Sequence, residues 1–140
     1  MSVSEIAPEA IFWFGVAGAG AAALKHLVAP YRSLEGLTPV ALRRDDKDHV
    51  VLSPEAHWWG GYAFSAMNMG LCATGVWAGV KSSPVAKQGY LLGVAVLFDA
   101  FAVSWLFRGH MTGKPDYVKQ GLKVAALGTL FSVGFFMMPN

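Results

Sequence analysis

The sequence predicts an all-α membrane protein: four transmembrane helices in an up-down bundle, with both termini on the less basic side. Three observations predict it. Only 14% of the 140 residues are charged and 54% are hydrophobic. About a quarter are charged in soluble domains, so this chain lacks the polar surface such a fold requires. No residue from Trp58 to Val80 is formally charged, and from Gly89 to Phe107 only Asp99 is. Roughly 20 apolar residues span the hydrocarbon core, so these windows are long enough to cross it. Lys and Arg, finally, fall on one side of the implied membrane.

The whole chain, residues 1–140, reads as a single integral-membrane domain with helices at about 8–28, 54–80, 84–108 and 115–138. Pro8, Pro54, Pro84 and Pro115 each stand just ahead of an apolar run. Proline favours the first helical position, where its missing N–H goes unneeded. Ser53 and Ser83 precede two of these prolines as N-caps, and Glu9, Glu55 and Asp116 follow where the helix dipole favours negative charge. The segment Pro-Glu-Ala-x-x-Trp-x-Gly occurs at Pro8–Gly15 and again at Pro54–Gly61. Shared helix-start chemistry with an interfacial Trp explains the match as well as a duplication does.

The side holding the 29–53 and 109–114 loops carries Lys25, Arg32, Arg43, Arg44, Lys47, Arg108, Lys114, Lys119 and Lys123. The side holding both termini carries Lys81 and Lys87. By the positive-inside rule the first side faces a cytoplasm, matrix or stroma. All five tryptophans fall near helix ends, where the indole prefers the interface: Trp13 and Trp77 on the terminal side, Trp58, Trp59 and Trp105 on the basic side. The first nine residues hold Glu5 and Glu9 and no Lys or Arg. That charge is wrong for a cleavable leader, so the first apolar stretch is expected to remain in the mature chain.

Helix packing carries the clearest pattern. His57, Gly61, Ser65, Asn68, Cys72, Gly75 and Gly79 recur at spacings of four and three, a stripe of small or polar residues on one face. Helix 1 repeats it with Gly15, Ala19, Ala22 and His26, and helix 4 with Gly121, Ala125, Gly128 and Ser132. In lipid, helices associate through close approach across such residues. Gly15, Gly61, Ser65, Gly75, Gly121 and Gly128 are therefore the expected helix-packing positions.

Asp99 lies near the midpoint of helix 3, at the depth of Asn68 and Thr129. A carboxylate at bilayer centre costs about 2.5–3.5 kcal/mol on insertion scales, so it is expected to point inward, pair or carry a proton. These three residues make a candidate midplane polar layer. A proton relay normally needs several ionisable groups in series, and only one is present, which favours a structural hydrogen bond.

His26 and His57 lie on the small-residue stripes near the basic surface and are the candidate cofactor-binding pair, since two imidazoles on facing helices are what bis-histidine haem or a metal requires. His49 and His110 lie on the same side. Interfacial histidine is common without any ligand, and no His-x-x-x-His or Glu-x-x-His spacing marks a metal site. Cys72 is single and mid-helix, which excludes an internal disulfide and a CxxC site. The run Arg43–Asp48 lacks the Gly and distal Glu of an EF-hand and reads as a solvated turn. Gly15-x-x-Gly18-x-Gly20 lies inside an apolar helix, not after a strand, so it is no phosphate loop. Ser65 and Ser104 have no neighbouring base. A formal charge of +2 without a basic stripe excludes nucleic acid as a partner.

Four short helices in 140 residues loosely resemble the build of DoxX-like and similar small bacterial and organellar membrane families. No motif matches residue for residue, so the resemblance carries over no activity or site.

The expected function is that of a non-catalytic accessory subunit of a larger integral-membrane complex, with other membrane subunits and lipids as partners. No resident cofactor is assigned, and bound lipids are its expected companions. The expected setting is an energy-transducing, respiratory-type assembly of the mitochondrial inner membrane, with the 29–53 and 109–114 loops in the matrix. A bacterial inner membrane, with these loops cytoplasmic, is the alternative. The rival function is a small redox or carrier protein binding haem, quinone, a metal or a solute through His26, His57 and Asp99.

Overall fold

The computed structural model describes residues 3–29 and 54–139, and side chains within 6–29 and 58–139. It is all-helical: α1 Val3–Val28, α2 Pro54–Lys81, α3 Pro84–Thr112 and α4 Pro115–Met137. The expected charged turn at 43–48 and His49 lie outside the described residues, as does the side chain of His57.

Local chemistry sets most boundaries. Ser83, with φ −89° and ψ 119°, caps α3: its Oγ accepts from the Ala86 N–H at 3.4 Å, and Pro84 follows. The turn from α2 takes two residues, with Ser82 at φ 51° and its N–H donating to Gly79 O at 3.0 Å. Gly113, at φ 66°, closes α3 by donating to Gly109 O at 2.9 Å. An αL position at a helix C-terminus strongly favours glycine. Pro115 then opens α4 with Asp116 in its first turn.

Two expectations need correction. Helix α1 begins at Val3, not near Pro8, which lies inside the helix and is buried. Its missing N–H removes a single bond, back to Ser4, so the turn before it stays helical. Helix α3 runs on to Thr112, four residues past the expected end, because nothing before Gly113 breaks it. The expected 109–114 loop is thus reduced to Gly113 and Lys114.

Three helical segments are long and apolar enough to cross a membrane: Ile6–Val28, Pro84–Thr112 and Pro115–Met137. Helix α2, at 28 residues, is about 42 Å long. Length is not what sets it apart. His57, Asn68, five glycines and three tryptophans dilute its apolar residues.

The helices pack as two close pairs, α1 with α2 and α3 with α4, and α2 and α4 share the least surface. Along the first pair, Trp13 lies against Gly79, Val16 against Gly75, Gly20 against Cys72 and Ala23 against Ser65. Along the second, Leu106 meets Gly121 and Asp99 meets Gly128. The shared core is Phe12, Val16, Ala78, Tyr90, Leu91, Val94, Ala95, Phe131 and Met138. Every one of these lies in the half of the molecule that holds the α2–α3 turn. Polar contacts reinforce that half: Lys87 Nζ pairs with Glu9 at 2.6 Å, and Gln88 donates to Met138 O at 2.9 Å. The two pairs are therefore joined at one end and held at the other mainly by contacts within each pair.

Candidate functional site

Beyond the shared core the pairs leave a cavity of about 500 Å³ between α2 and the α3–α4 hairpin, with α1 at its edge. Its apolar wall is formed by Phe64, Met67 and Leu71 from α2, Leu97, Phe98 and Phe101 from α3, and Val124 from α4. Polar groups collect towards the far end of α3: Ser104, Trp105 and Arg108, with His26, Tyr117 and Gln120 from the neighbouring helices. Asn68 is the polar residue deepest in the cavity.

Each pair braces its own side of this opening. Ser65 is 2% exposed, and its Oγ donates to Ala23 O at 2.9 Å, tying α2 to α1. The His26 ring stands 5.6 Å from Phe64, and its Nδ1 is buried without a hydrogen-bond partner among the described residues. Across the cavity, Trp105 stacks on Tyr117 at 5.3 Å, and the Arg108 guanidinium lies 5.7 Å from the Tyr117 ring centroid. Phe64 and Phe101, 6.5 Å apart, are the aromatic contact between the pairs at this level.

The candidate residues from the sequence are distributed as follows. His26 lines the cavity. The Asn68 amide donates to Phe64 O of its own helix at 2.8 Å, not to Asp99. Thr129 is exposed. Asp99 is exposed too, with its carboxylate over Gly128, and it makes no hydrogen bond or ion pair among the described residues. It sits on an outward stripe with Leu92, Val96, Val103 and Phe107, which are 46%, 60%, 66% and 65% exposed. The carboxylate expected to point into the bundle instead lies at the edge of the α3–α4 contact, against buried Gly128 and without a polar partner among the described residues. Among the packing positions, Gly61 and Ser65 are buried, Gly15 lies under Phe131, Gly75 under Val16 and Tyr90, and Gly121 under Leu106.

No protein-family model, curated protein or solved structure matches the chain. The site must therefore be read from its own chemistry. Among the described residues no three His, Cys, Asp or Glu side chains gather as metal ligands. What the cavity offers is an apolar trough with a cation and hydrogen-bond donors at one end. Sequence reasoning used Arg108 and Trp105 only as topology markers. Leu97, Phe101, Trp105 and Arg108 follow one another at four, four and three residues, one helix face that ends in a cation. That spacing was the available signal.

Proposed function

We propose that the chain is a non-catalytic subunit of a larger integral-membrane assembly, anchored by four transmembrane helices in an up-down bundle with both termini on the less basic side. The observation that carries this reading is Asp99. It is the fifteenth residue past Pro84 in a helix of 29, about 22 Å along the axis from one end and 20 Å from the other. It therefore lies at mid-depth where an exposed stripe of Leu, Val and Phe borders the α3–α4 contact at Gly128. Lipid offers a carboxylate no donor there, and the cost on insertion scales is about 2.5–3.5 kcal/mol. A neighbouring subunit's helix with a donor or cation at that depth removes the cost.

The opposed order of the contact pairs along α1 and α2 supports the up-down arrangement, and so does the Glu9–Lys87 pair, which places the starts of α1 and α3 together. Helix α2 crosses in this reading because it equals its neighbours in length and holds no charge from Trp58 to Val80. The proposed setting is an energy-transducing membrane. In the mitochondrial inner membrane the 29–53 segment and the short α3–α4 link face the matrix, and in a bacterial inner membrane they face the cytoplasm. A redox or carrier role through His26, His57 and Asp99 requires these groups in one site. His26 lines the cavity and Asp99 lies outside it, so the subunit reading has the better support.

Native electrophoresis after mild detergent extraction tests the proposal. Wild type and Asp99→Asn should run in a high-mass band, and Asp99→Leu should fall out of it. Wild-type migration at monomer or dimer mass, or Asp99→Leu remaining in the complex, would contradict it.

A further inference from the structure

We propose that the cavity beside α3 holds one acyl chain of an anionic phospholipid drawn from the leaflet on the basic side, with the lipid phosphate at Arg108. The inference rests on the membrane-spanning part of the reading above, but not on any partner subunit.

Shape comes first. From Arg108 to Leu97 the lining follows eleven residues of α3, about 16 Å along the helix axis. The trough therefore runs parallel to the helices, the direction in which acyl chains lie in a bilayer. Its volume of about 500 Å³ falls in the usual range for a small-molecule site, roughly 300–1,000 Å³. Its deep part is walled by Leu71, Leu97 and Phe98, and the nearby Asn68 amide already donates to Phe64 O, so this part suits a hydrocarbon.

Charge comes second. Among the described residues lining the cavity, Arg108 is the one Lys or Arg, and none is acidic. It makes no ion pair among the described residues and rests against the Tyr117 ring. A guanidinium binds phosphate oxygens through two parallel N–H donors. A neutral amphiphile leaves that cation uncompensated, and a fully polar ligand leaves the deep wall against water.

His26 supplies the third observation. It is 5% exposed, and its Nδ1 is buried with no partner among the described residues. An unpaired lone pair is less costly to bury than an unpaired N–H, so the proton belongs on Nε2. His26 is among the cavity-lining residues, and in the proposed complex its Nε2–H is a second donor to a phosphate or ester oxygen. His26 stands two residues from the end of α1 and Arg108 four from the end of α3, within about 6 Å of a helix end in each case. Both donors thus lie at headgroup level.

The test uses the full chain, purified in mild detergent from carbonate-washed membranes and stripped of lipid until native mass spectra show the bare polypeptide. It is then titrated separately with dioleoylphosphatidylglycerol, dioleoylphosphatidylcholine and oleate. One equivalent of phosphatidylglycerol should be retained at roughly tenfold lower concentration than phosphatidylcholine, because the trimethylammonium of the latter competes with Arg108 for the phosphate both lipids carry. Arg108→Gln, at an exposed position, should bring phosphatidylglycerol to the phosphatidylcholine level. Leu97→Trp, which fills the trough, should abolish retention of both at unchanged helix content by circular dichroism. Equal retention of the two phospholipids by the wild type, or wild-type retention by Arg108→Gln, overturns the proposal. Preference for oleate over phosphatidylglycerol overturns the phospholipid in favour of a free fatty acid. Release of the chain by the carbonate wash defeats the membrane-spanning reading instead, before any lipid is added.

Discussion

Replacing Gly75 by alanine adds one methyl group where α1, α2 and α3 converge. The new Cβ would press on Val16 Cγ2 and stand 3.0 and 3.1 Å from Tyr90 Cε2 and Cζ. Carbon atoms prefer about 3.5–4.0 Å, so both neighbours must retreat by half an ångström or more. Neither is free to do so. Val16 is 4% exposed and β-branched, and Tyr90 is 6% exposed and stands edge-on to Phe12 at 5.3 Å. Overpacking of this kind costs about 1–3 kcal/mol, and contact on two sides argues for the upper end. The helix-propensity gain of alanine over glycine returns up to about 1 kcal/mol, leaving a net loss near 2 kcal/mol. Gly70, five residues earlier on α2, supplies the control, because nothing lies within 4 Å of a Cβ built there. Gly70→Ala should therefore gain up to about 1 kcal/mol. The two variants should differ by about 3 kcal/mol, a factor above one hundred in the folding equilibrium. Unfolding in mixed detergent micelles, followed by circular dichroism, measures the difference. Equal stability of the two would refute the close packing of α1 and α2 across their small residues.

Two further substitutions probe the joined end of the bundle. Lys87→Met leaves Glu9 without its ammonium, and because the Glu9 side chain is 36% exposed and can hydrate, the loss should be about 1–2 kcal/mol, below the figure for a fully buried pair. The same unfolding assay should show Lys87→Met with Glu9→Gln recovering part of that loss, and simple additivity would mean that the pair contributes nothing. Tyr90→Phe removes a buried hydroxyl that has no partner among the described residues. Stability should hold or rise by up to about 1 kcal/mol, and a loss above 1 kcal/mol would mean that the hydroxyl is hydrogen-bonded.

Much of the helical framework was legible because proline and serine mark helix starts whatever the surroundings. Pro54, Pro84 and Pro115 open their helices as read, and Ser83 caps as read. Pro8 misled because a proline one turn further in costs a single hydrogen bond, which a helix end tolerates. The facing of Asp99 was not legible for a different reason. In water, the polar side of a helix shows which face is buried. In lipid both faces are apolar, and exposed Val96 and Val103 look no different in sequence from buried Val94 and Ala95. The carboxylate alone could not say which way it pointed. The cavity was hidden too, since its lining comes from all four helices, and no single stripe encodes how they meet.

In a protein crossing the membrane four times, α2 is the helix whose composition most needs a direct test. Single cysteines in a Cys72→Ala background, at Asp46, Ser82 and Asn140, can be treated with a membrane-impermeant maleimide on sealed vesicles of known orientation. With four crossings, Ser82 and Asn140 should react from one face and Asp46 only from the other, with the reactive pair on the outer face. Reaction of Asp46 and Ser82 from the same face would lay α2 along the surface and rule out a fourth crossing.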